Sequence, residues 1–202
     1  MREIIASVFV TLDGVMEAPG GEPGHPHTGW VFDFMSPELL HYKFVEVLEA
    51  QSLLIGRVTY ESFAEAWPQR SGALADKLNG MPKHVVSTTL RNPGWNATVI
   101  GTDVVPAITR LKTTDGAPIL VHGSRTLLQT LMAHDLVDEY RIIIFPVVVG
   151  SGHRLFPDTP DKTVLRLTAS CTFSSGVVVQ SYRPATRSSS DGGSYIMPLG
   201  VQ

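Results

Sequence analysis

Two stretches decide the fold of this chain: SLLIGRVTYES at residues 52–62 and PILVHGSRTLL at residues 118–128. Each is a short apolar run that stops at a glycine, Gly56 or Gly123, and continues into a segment with helical spacing. A glycine at the end of a strand lets the backbone approach a ligand closely. The helix that follows offers unpaired N–H groups and the positive end of its dipole, and both favour phosphate. Two such turns predict a site for a nucleotide cofactor.

The other segments alternate strand and helix and then end in strands. The predicted strands cover residues 4–10, 53–55, 83–87, 97–100, 119–122, 139–149, 164–173 and 177–183, and the predicted helices begin near residues 37, 59, 104 and 124. This order predicts an α/β fold with a mostly parallel sheet, helices on both faces and a terminal antiparallel hairpin. We expect one domain over residues 1–185 and a flexible or partner-docking tail over residues 186–202.

Three local signals make specific predictions about element ends. Ser36 followed by Pro37 is typical of a capped helix start. Asp103 is the expected cap of the helix that follows it. Pro146, inside the strand predicted over residues 139–149, indicates a bulge or an edge position.

Composition limits the classes of protein to which the chain can belong. Of its 202 residues 17% are charged and the net charge is −3, so nucleic acid and anionic membranes are not expected partners. The single cysteine, Cys171, excludes an internal disulfide framework and favours a reducing compartment. The N-terminus lacks a signal-peptide pattern, and the longest apolar run, residues 142–149, is too short to cross a bilayer. We therefore expect a cytoplasmic protein. No metal is expected, because His25 and His27 lack further ligands at suitable spacing.

An arginine and two hydroxyls lie at the predicted ends of two neighbouring strands. Arg57 follows the second strand, and Ser87 and Thr88 close the third. The ends of parallel strands meet at the edge of the sheet where ligands bind in open α/β folds. A guanidinium with hydroxyls suits a ribose 2′-phosphate, so the pattern favours NADPH over NADH. Taken singly, each position is better explained as a solvated helix residue or a turn residue.

The second glycine turn is the predicted grip on the pyrophosphate. Gly123 allows close approach, and the N–H groups of Ser124 and Arg125, with Thr126 behind them, open a helix. The alternative is an ordinary capped helix after a strand. The sequence does not contain the G-x-G-x-x-G fingerprint of dinucleotide-binding folds. We expect His122, just before the turn, to be a hydrogen-bonded core histidine and not a base.

The substrate side of the site is predicted at the end of the first strand. Thr11 and Asp13 close this strand, which we expect at the centre of the sheet. Asp13 there binds a polar group of the substrate or forms an Asx turn before Gly14, and the two readings are about equally favoured.

Two further segments are candidates for contact with the substrate. Trp30 follows the Gly/Pro-rich loop at residues 18–29 and either walls a flat heterocycle or belongs to the core. Gly152 and Arg154 lie in a second glycine-rich stretch, which is a weak phosphate-loop candidate and could line the cofactor or a substrate phosphate.

Several of these motifs together resemble dihydrofolate reductases and their relatives. Residues 54–62 look like the Gly-Arg-x-Thr-aromatic-Glu-Ser segment of dihydrofolate reductases, and residues 119–128 are similar to their glycine-rich cofactor turn. The Thr-Leu-Asp-Gly motif at residues 11–14 and the pattern of Asp-Glu, Pro, Gly-rich loop and Leu-Phe over residues 138–156 are closest to the reductase domains of riboflavin biosynthesis. The resemblance covers roughly residues 1–184, in the order of the predicted elements.

The resemblance implies a mixed, mainly parallel sheet of eight strands, NADPH as the cofactor, and a pteridine- or aminopyrimidine-like substrate. On matching positions it assigns cofactor binding to Gly56, Arg57, Thr59, Ser87, Thr88, Gly123, Ser124, Arg125 and Thr126. Riboflavin-type members are commonly dimers, so a homodimer is expected. Leu39 lies near the position where dihydrofolate reductases carry a helix acid, and Glu38, one residue away, would point about 100° elsewhere.

Three functional hypotheses follow. The first is an NADPH-dependent reductase of the dihydrofolate-reductase-like superfamily, riboflavin-reductase branch, in which Asp13 orients the substrate or relays a proton. The second is an NADPH-binding module without turnover, such as a sensor or assembly protein, because the helix acid is missing. The third is a different α/β enzyme whose glycine turns hold another phosphate ligand.

Overall fold

A computed structural model of the chain, which describes residues 1–159 and 162–185, contains one eight-stranded sheet. The strands are β1 (Ile4–Thr11), β2 (Ser52–Gly56), β3 (Lys83–Val86), β4 (Ala97–Ile100), β5 (Ile119–His122), β6 (Glu139–Phe145), β7 (Leu165–Thr172) and β8 (Val178–Pro184). Their order across the sheet is β4-β3-β2-β5-β1-β6-β8-β7. Strands β1 to β6 pair in parallel, and β8 pairs antiparallel with β6 and β7. The predicted mixed, mainly parallel sheet with a C-terminal hairpin is confirmed.

Five α-helices flank the sheet in the described residues. They are α1 (Pro37–Glu49), α2 (Arg57–Ala66), α3 (Ala73–Gly80), α4 (Val104–Thr113) and α5 (Arg125–Ala133). The predicted cap of α1 is confirmed, because Ser36 Oγ accepts a hydrogen bond from Leu39 N at 3.2 Å. Helix α3 was not predicted, since its segment is short and weakly periodic.

Helices cover both faces of the sheet, and successive side chains of β1 point alternately to the two faces. One face carries even-numbered residues of β1 and packs against α4 and α5 through Ile4, Ala6, Val8, Ile108, Leu127, Leu128 and Leu131. The opposite face packs against α1, α2 and α3 through Ile5, Val47, Leu53, Ile55, Tyr60, Leu78 and Leu120. Strand β1 lies between β5 and β6, so it is buried on both sides, as its apolar sequence predicted.

Two predicted details are wrong. Strand β6 ends at Phe145, directly before Pro146, and lies between β1 and β8 in the interior of the sheet. Pro146 therefore terminates the strand, because it has no N–H for the ladder, instead of marking a bulge or an edge. Asp103 precedes α4 in a left-handed conformation with φ 47°, and its side chain makes no capping hydrogen bond.

The tail predicted over residues 186–202 lies outside the described residues, so its role stays a prediction. None of the helices in residues 1–159 and 162–185 is long and apolar enough to cross a membrane. Cys171 lies on β7 with its side chain exposed.

Candidate functional site

The two glycine turns lie side by side at the carboxyl edge of the sheet. Strand β2 pairs in parallel with β5, and Leu53 lies opposite Leu120, so the turns after both strands share one edge. The side chain of Ser124 joins them: its Oγ accepts a hydrogen bond from Gly56 N at 2.7 Å and lies 3.0 Å from Thr59 Oγ1. The two stretches that were paired by sequence pattern are thus in direct contact.

Packing between the turns excludes a side chain at Gly56, and backbone conformation together with a tight contact disfavours one at Gly123. A Cβ on Gly56 would lie 2.5 Å from Ser124 Oγ and 2.9 Å from Ser124 Cβ, which is closer than real Cβ atoms come. Gly123 has φ +64°, and a Cβ there would lie 3.2 Å from Thr59 Oγ1. The sequence alone attributed these glycines to ligand approach, whereas part of their role is the approach of one turn to the other.

Helices α2 and α5 begin at these turns with unsatisfied N-termini. Neither helix has a side-chain capping hydrogen bond, and neither carries an acid in its first turn. Helix α1, by contrast, is capped by Ser36 and has Glu38 in its first turn. Because the first amides of a helix need partners and its dipole favours an anion there, this pair of N-termini fits the phosphates of a dinucleotide.

The residues predicted to select NADPH lie close in the fold but do not touch one another. Gly56 pairs with Val86, so Arg57 and Ser87 follow neighbouring strand ends as predicted. Arg57 Nη1 instead forms an exposed ion pair with Glu61 at 2.8 Å. Ser87 Oγ accepts hydrogen bonds from the amides of its own turn, at residues 89 and 90, and Thr88 is exposed.

Asp13 fastens the segment after β6 to the end of β1. Its carboxylate accepts hydrogen bonds from Thr11 Oγ1 at 2.6 Å and from Gly150 N at 2.9 Å. The hydrogen bond from the Thr11 hydroxyl lowers the pKa of Asp13, and burial raises it. With the amides of Gly150 and Val149 added, the pKa stays below its ordinary value. Asp13 is therefore ionised near neutral pH and holds no proton of its own to donate, although it can still orient a substrate.

The glycine-rich segment after β6 packs against the loop after β1. Arg154 Nη1 donates to the Asp13 carbonyl at 2.7 Å, and His25 Nε2 lies 3.0 Å from the Ser151 carbonyl. Gly152 has φ +124°, and a Cβ there would lie 2.8 Å from Val15 Cγ1. No three His, Cys, Asp or Glu side chains in the described part of the chain are grouped so as to hold a metal ion.

Trp30 lies in the core. It is 5% exposed, its indole N–H donates to the Glu17 carbonyl at 2.8 Å, and its ring meets Phe145 edge-on at 5.2 Å. Of the two roles considered for Trp30, this placement favours core packing over a wall for the substrate.

A buried polar group that the sequence analysis did not identify lies beside the turn after β5. This Lys43 cluster consists of Ser7 of β1, Lys43 and Glu46 of α1, and His122 of β5. Lys43 Nζ donates to Ser7 Oγ at 2.7 Å, lies 3.2 Å from His122 Nε2 and forms a salt bridge with Glu46. Ser7 Oγ donates to Glu46 Oε2 at 2.8 Å, and Arg141 of β6 lies 3.5 Å from the other carboxylate oxygen.

Burial and charge set the protonation of the Lys43 cluster. Burial alone would raise the pKa of Glu46, but the adjacent Lys43 ammonium outweighs it and holds that pKa well below its usual range. Burial lowers the pKa of His122, and the charge of Lys43 lowers it further, so the ring is neutral near pH 7. Burial also lowers the pKa of Lys43, against the opposing effect of the Glu46 carboxylate.

A sequence signal for this cluster existed. Lys43 and Glu46 follow the buried Leu39 by four and seven residues, which places both charges on the apolar face of α1. His122 was expected to be a hydrogen-bonded core residue; it is hydrogen-bonded, but its partners are charged groups.

The position of the missing helix acid is apolar and closed. Leu39 is fully buried, and the exposed Glu38 accepts a hydrogen bond from Ser174 Oγ at 2.9 Å, on the terminal hairpin. Glu38 is thus turned towards the hairpin and does not replace the acid.

Comparison with known proteins identifies the relatives of the chain. Residues 2–179 match the family described as RibD C-terminal domain. The uncharacterized protein YyaP of Bacillus subtilis (strain 168) is 30% identical over 182 residues, which cover 88% of this chain and 92% of YyaP. The uncharacterized protein YwjB of the same organism is 27% identical over 184 residues, which cover 87% of this chain and 95% of YwjB.

Solved structures share the fold at low sequence identity. A candidate riboflavin biosynthesis protein from Shewanella sp. PV-4 aligns with a TM-score of 0.73 and 20% identity, over 91% of this chain and 99% of that protein. A pyrimidine reductase-like protein from Corynebacterium diphtheriae gives a TM-score of 0.66 at 12% identity, over 91% and 92% of the two chains. A diaminohydroxyphosphoribosylaminopyrimidine deaminase/5-amino-6-(5-phosphoribosylamino)uracil reductase from Thermotoga maritima gives 0.63 at 14% identity, over 91% of this chain and 57% of that one.

Proposed function

The chain belongs to the RibD C-terminal domain family, and on that premise we propose that it is a reductase that transfers a hydride from NADPH to a small heterocycle of the pteridine or aminopyrimidine type. The observation that carries the proposal is the pair of uncapped, acid-free helix N-termini joined through Ser124. Two such N-termini at one sheet edge suit the two phosphate groups of a dinucleotide. The membership also supports a reductase over the other phosphate-binding enzymes considered.

The residues of the chain act mainly by binding and orienting. When bound, NADPH supplies the hydride. The amides at the starts of α2 and α5 hold its phosphates, and the ionised Asp13, next to the end of β1, orients a polar group of the substrate. Because Arg57 is exposed and its ion pair with Glu61 is a surface one, its guanidinium is free to exchange Glu61 for a 2′-phosphate.

Calorimetric titration with NADPH and NADH tests the proposal. We expect NADPH to bind more tightly, and Arg57→Ala to weaken NADPH while leaving NADH unchanged, because the 2′-phosphate alone is lost as a partner. Arg110→Ala, which removes an exposed arginine at the far end of α4, is the matched control. Failure of both cofactors to bind, or equal binding of both, would exclude the proposed 2′-phosphate site.

An NADPH-binding module without turnover is the second candidate. It is favoured by the burial of Leu39 where a helix acid was expected and by the ionised state of Asp13. Protein that binds NADPH but does not oxidise it with dihydrofolate or with 5-amino-6-(5-phosphoribosylamino)uracil would support this candidate.

The proposed partner is a second copy of the chain. The resemblance to riboflavin-type reductases implies it, and the outer strand β7 is exposed at seven of its eight residues, so one sheet edge is free to be covered. Light scattering on the purified protein should give the mass of two chains; the mass of one chain would refute the dimer.

A further inference from the structure

A hydride transfer to a C=N or C=O bond also needs a proton, and the expected donors do not provide one. Asp13 is ionised and accepts hydrogen bonds from the backbone, while the helix position of the usual acid is Leu39. The inference that follows rests on the proposed function, because it concerns the source of that proton.

The hydrogen-bond distances in the Lys43 cluster indicate where its protons lie. An ammonium has three donors, and Lys43 Nζ has three acceptors around it: Ser7 Oγ, Glu46 Oε2 and His122 Nε2. His122 Nε2 lies 3.2 Å from the Lys43 ammonium and 3.4 Å from the Glu46 carboxylate. Because the ammonium is the nearer group and can only donate, Nε2 is assigned as its acceptor, and the proton of the neutral ring is assigned to Nδ1. Nδ1 has no hydrogen-bond partner among the described residues.

The cluster lies at the edge of the predicted cofactor site. His122 is the last residue of β5, directly before Gly123, and its side chain is 12% exposed. The rings of Phe63 and His122 meet edge-on at 6.3 Å, and Lys43 Nζ lies 5.4 Å from the ring centre of Phe9. His122 thus keeps a small exposed fraction beside the turn where the cofactor is expected, and it lies opposite Ser7 of β1, the strand that ends at the predicted substrate side.

The charged and titratable groups that face the cluster come from two elements. Helix α1 contributes Tyr42, Lys43 and Glu46, and β6 contributes Arg141. Glu46 and Arg141 keep fixed charges, and the pKa of Tyr42 is raised above its ordinary value by burial and by Glu46. Lys43 and His122 are thus the two members that can exchange a proton near neutral pH.

We propose that His122 delivers the proton of the reduction and that Lys43 replaces it. The N–H bond at His122 Nδ1 breaks as the proton bonds to the substrate nitrogen or oxygen, whose electron pair is freed when the hydride adds to the neighbouring carbon. As that bond breaks, the Lys43 ammonium gives a proton to Nε2, which leaves the other neutral tautomer of the ring and a neutral amine. Solvent reprotonates the amine, and the ring returns to its first tautomer.

Three variants separate a proton relay from a structural role. His122→Gln keeps an acceptor for Lys43 but cannot pass a proton, Lys43→Arg keeps the charge but does not release a proton, and Lys43→Met removes both. Lys83→Met is the matched control, because it removes another buried ammonium. Lys83 is the first residue of β3, and its ammonium contacts Asn79 and Trp95 and no residue of the Lys43 cluster. Thermal unfolding and NADPH titration of each variant verify that it folds and binds the cofactor.

The first readout needs neither substrate nor cofactor. In ¹⁵N NMR of the histidine rings we expect the neutral His122 to carry its proton on Nδ1 and Lys43→Met to lose that strict preference. A proton on Nε2 in the wild-type protein would overturn the relay, whatever the activity.

The second readout is the oxidation of NADPH with 5-amino-6-(5-phosphoribosylamino)uracil. We expect kcat to fall about 100-fold or more in all three variants with little change in KM, which is the range of general acid catalysis. The wild-type kcat should fall as pH rises through the lowered pKa of Lys43, and its solvent isotope effect should disappear in His122→Gln. Activity restored by Lys43→Arg would show a purely electrostatic role and refute the relay. Wild-type protein that binds no NADPH would instead refute the proposed function.

Discussion

Replacing Gly56 with alanine tests whether the two glycine turns are held together through Ser124. The backbone of Gly56 has φ −84°, which alanine tolerates, so the expected cost comes from contact and not from strain. The new Cβ would lie 2.5 Å from Ser124 Oγ, and the Ser124 side chain must move away from Gly56 N. Overpacking costs about 1–3 kcal/mol, and the lost hydrogen bond about 1 kcal/mol. We expect the free energy of unfolding to fall by about 2–4 kcal/mol.

A second substitution identifies the contact. Ser124→Gly removes both atoms that the new Cβ would meet, and glycine suits the left-handed φ of 61° at this position. By itself it should change stability by less than about 1 kcal/mol, because the lost hydrogen bond and the relieved backbone conformation offset each other. In the Ser124→Gly background we expect Gly56→Ala to cost about 2 kcal/mol less than in the wild-type protein.

Urea unfolding of the wild-type protein, the two single variants and the double variant measures this coupling. The comparison is valid when the dependence of the unfolding free energy on urea is the same in all four proteins. If Gly56→Ala destabilises both backgrounds equally, Ser124 is not the group that excludes a side chain at Gly56, and the described contact between the turns is wrong.

Three further predictions concern single side chains. Glu61→Gln should strengthen NADPH binding about twofold in calorimetry and leave NADH unchanged, because it releases Arg57 from an exposed ion pair of typical surface strength; weaker NADPH binding would contradict it. Burial lowers the pKa of Lys83 to about 8, below its value in the unfolded chain, so the unfolded state binds more protons and stability should rise by roughly 1–2 kcal/mol between pH 7.5 and 9.5; urea unfolding of Lys83→Met should show no such rise. Asp13→Asn should lower the free energy of unfolding by about 1 kcal/mol at pH 7, because an amide oxygen and nitrogen cannot both accept from Thr11 and Gly150. The wild-type protein should lose this stability as pH falls below the ordinary pKa of an aspartate, and the variant should not. The same loss of stability at low pH in both proteins would show that Asp13 is not held in its ionised form.

Local patterns in the sequence were sufficient for most of the fold. The apolar run of β1, the Ser36–Pro37 helix start and the strand-glycine-helix order at Gly56 and Gly123 are each produced by neighbouring residues, and each was found where predicted. Errors occurred where a residue has two possible local roles. Pro146 ends a strand in the sheet interior, and Asp103 precedes α4 without capping it.

The site was predicted less completely than the fold. The sequence placed the predicted cofactor half at strand ends that are indeed adjacent, because parallel strands bring their carboxyl ends to one edge. It could not show that Arg57 pairs with Glu61 or that Trp30 lies in the core, since each of these residues has a plausible role in either setting.

By itself, the sequence determined the burial pattern of each segment, on one face or on both, and the positions where glycine or proline ends it. Those properties depend on residues within a few positions of one another. Only the tertiary structure decided that Ser124 bridges the two turns and that Ser7, Lys43, Glu46 and His122 meet on one face of the sheet. Except for the pair Lys43 and Glu46 within α1, these contacts join residues dozens of positions apart, so they exist only once the sheet has set the distances between its strands and the helix that covers them.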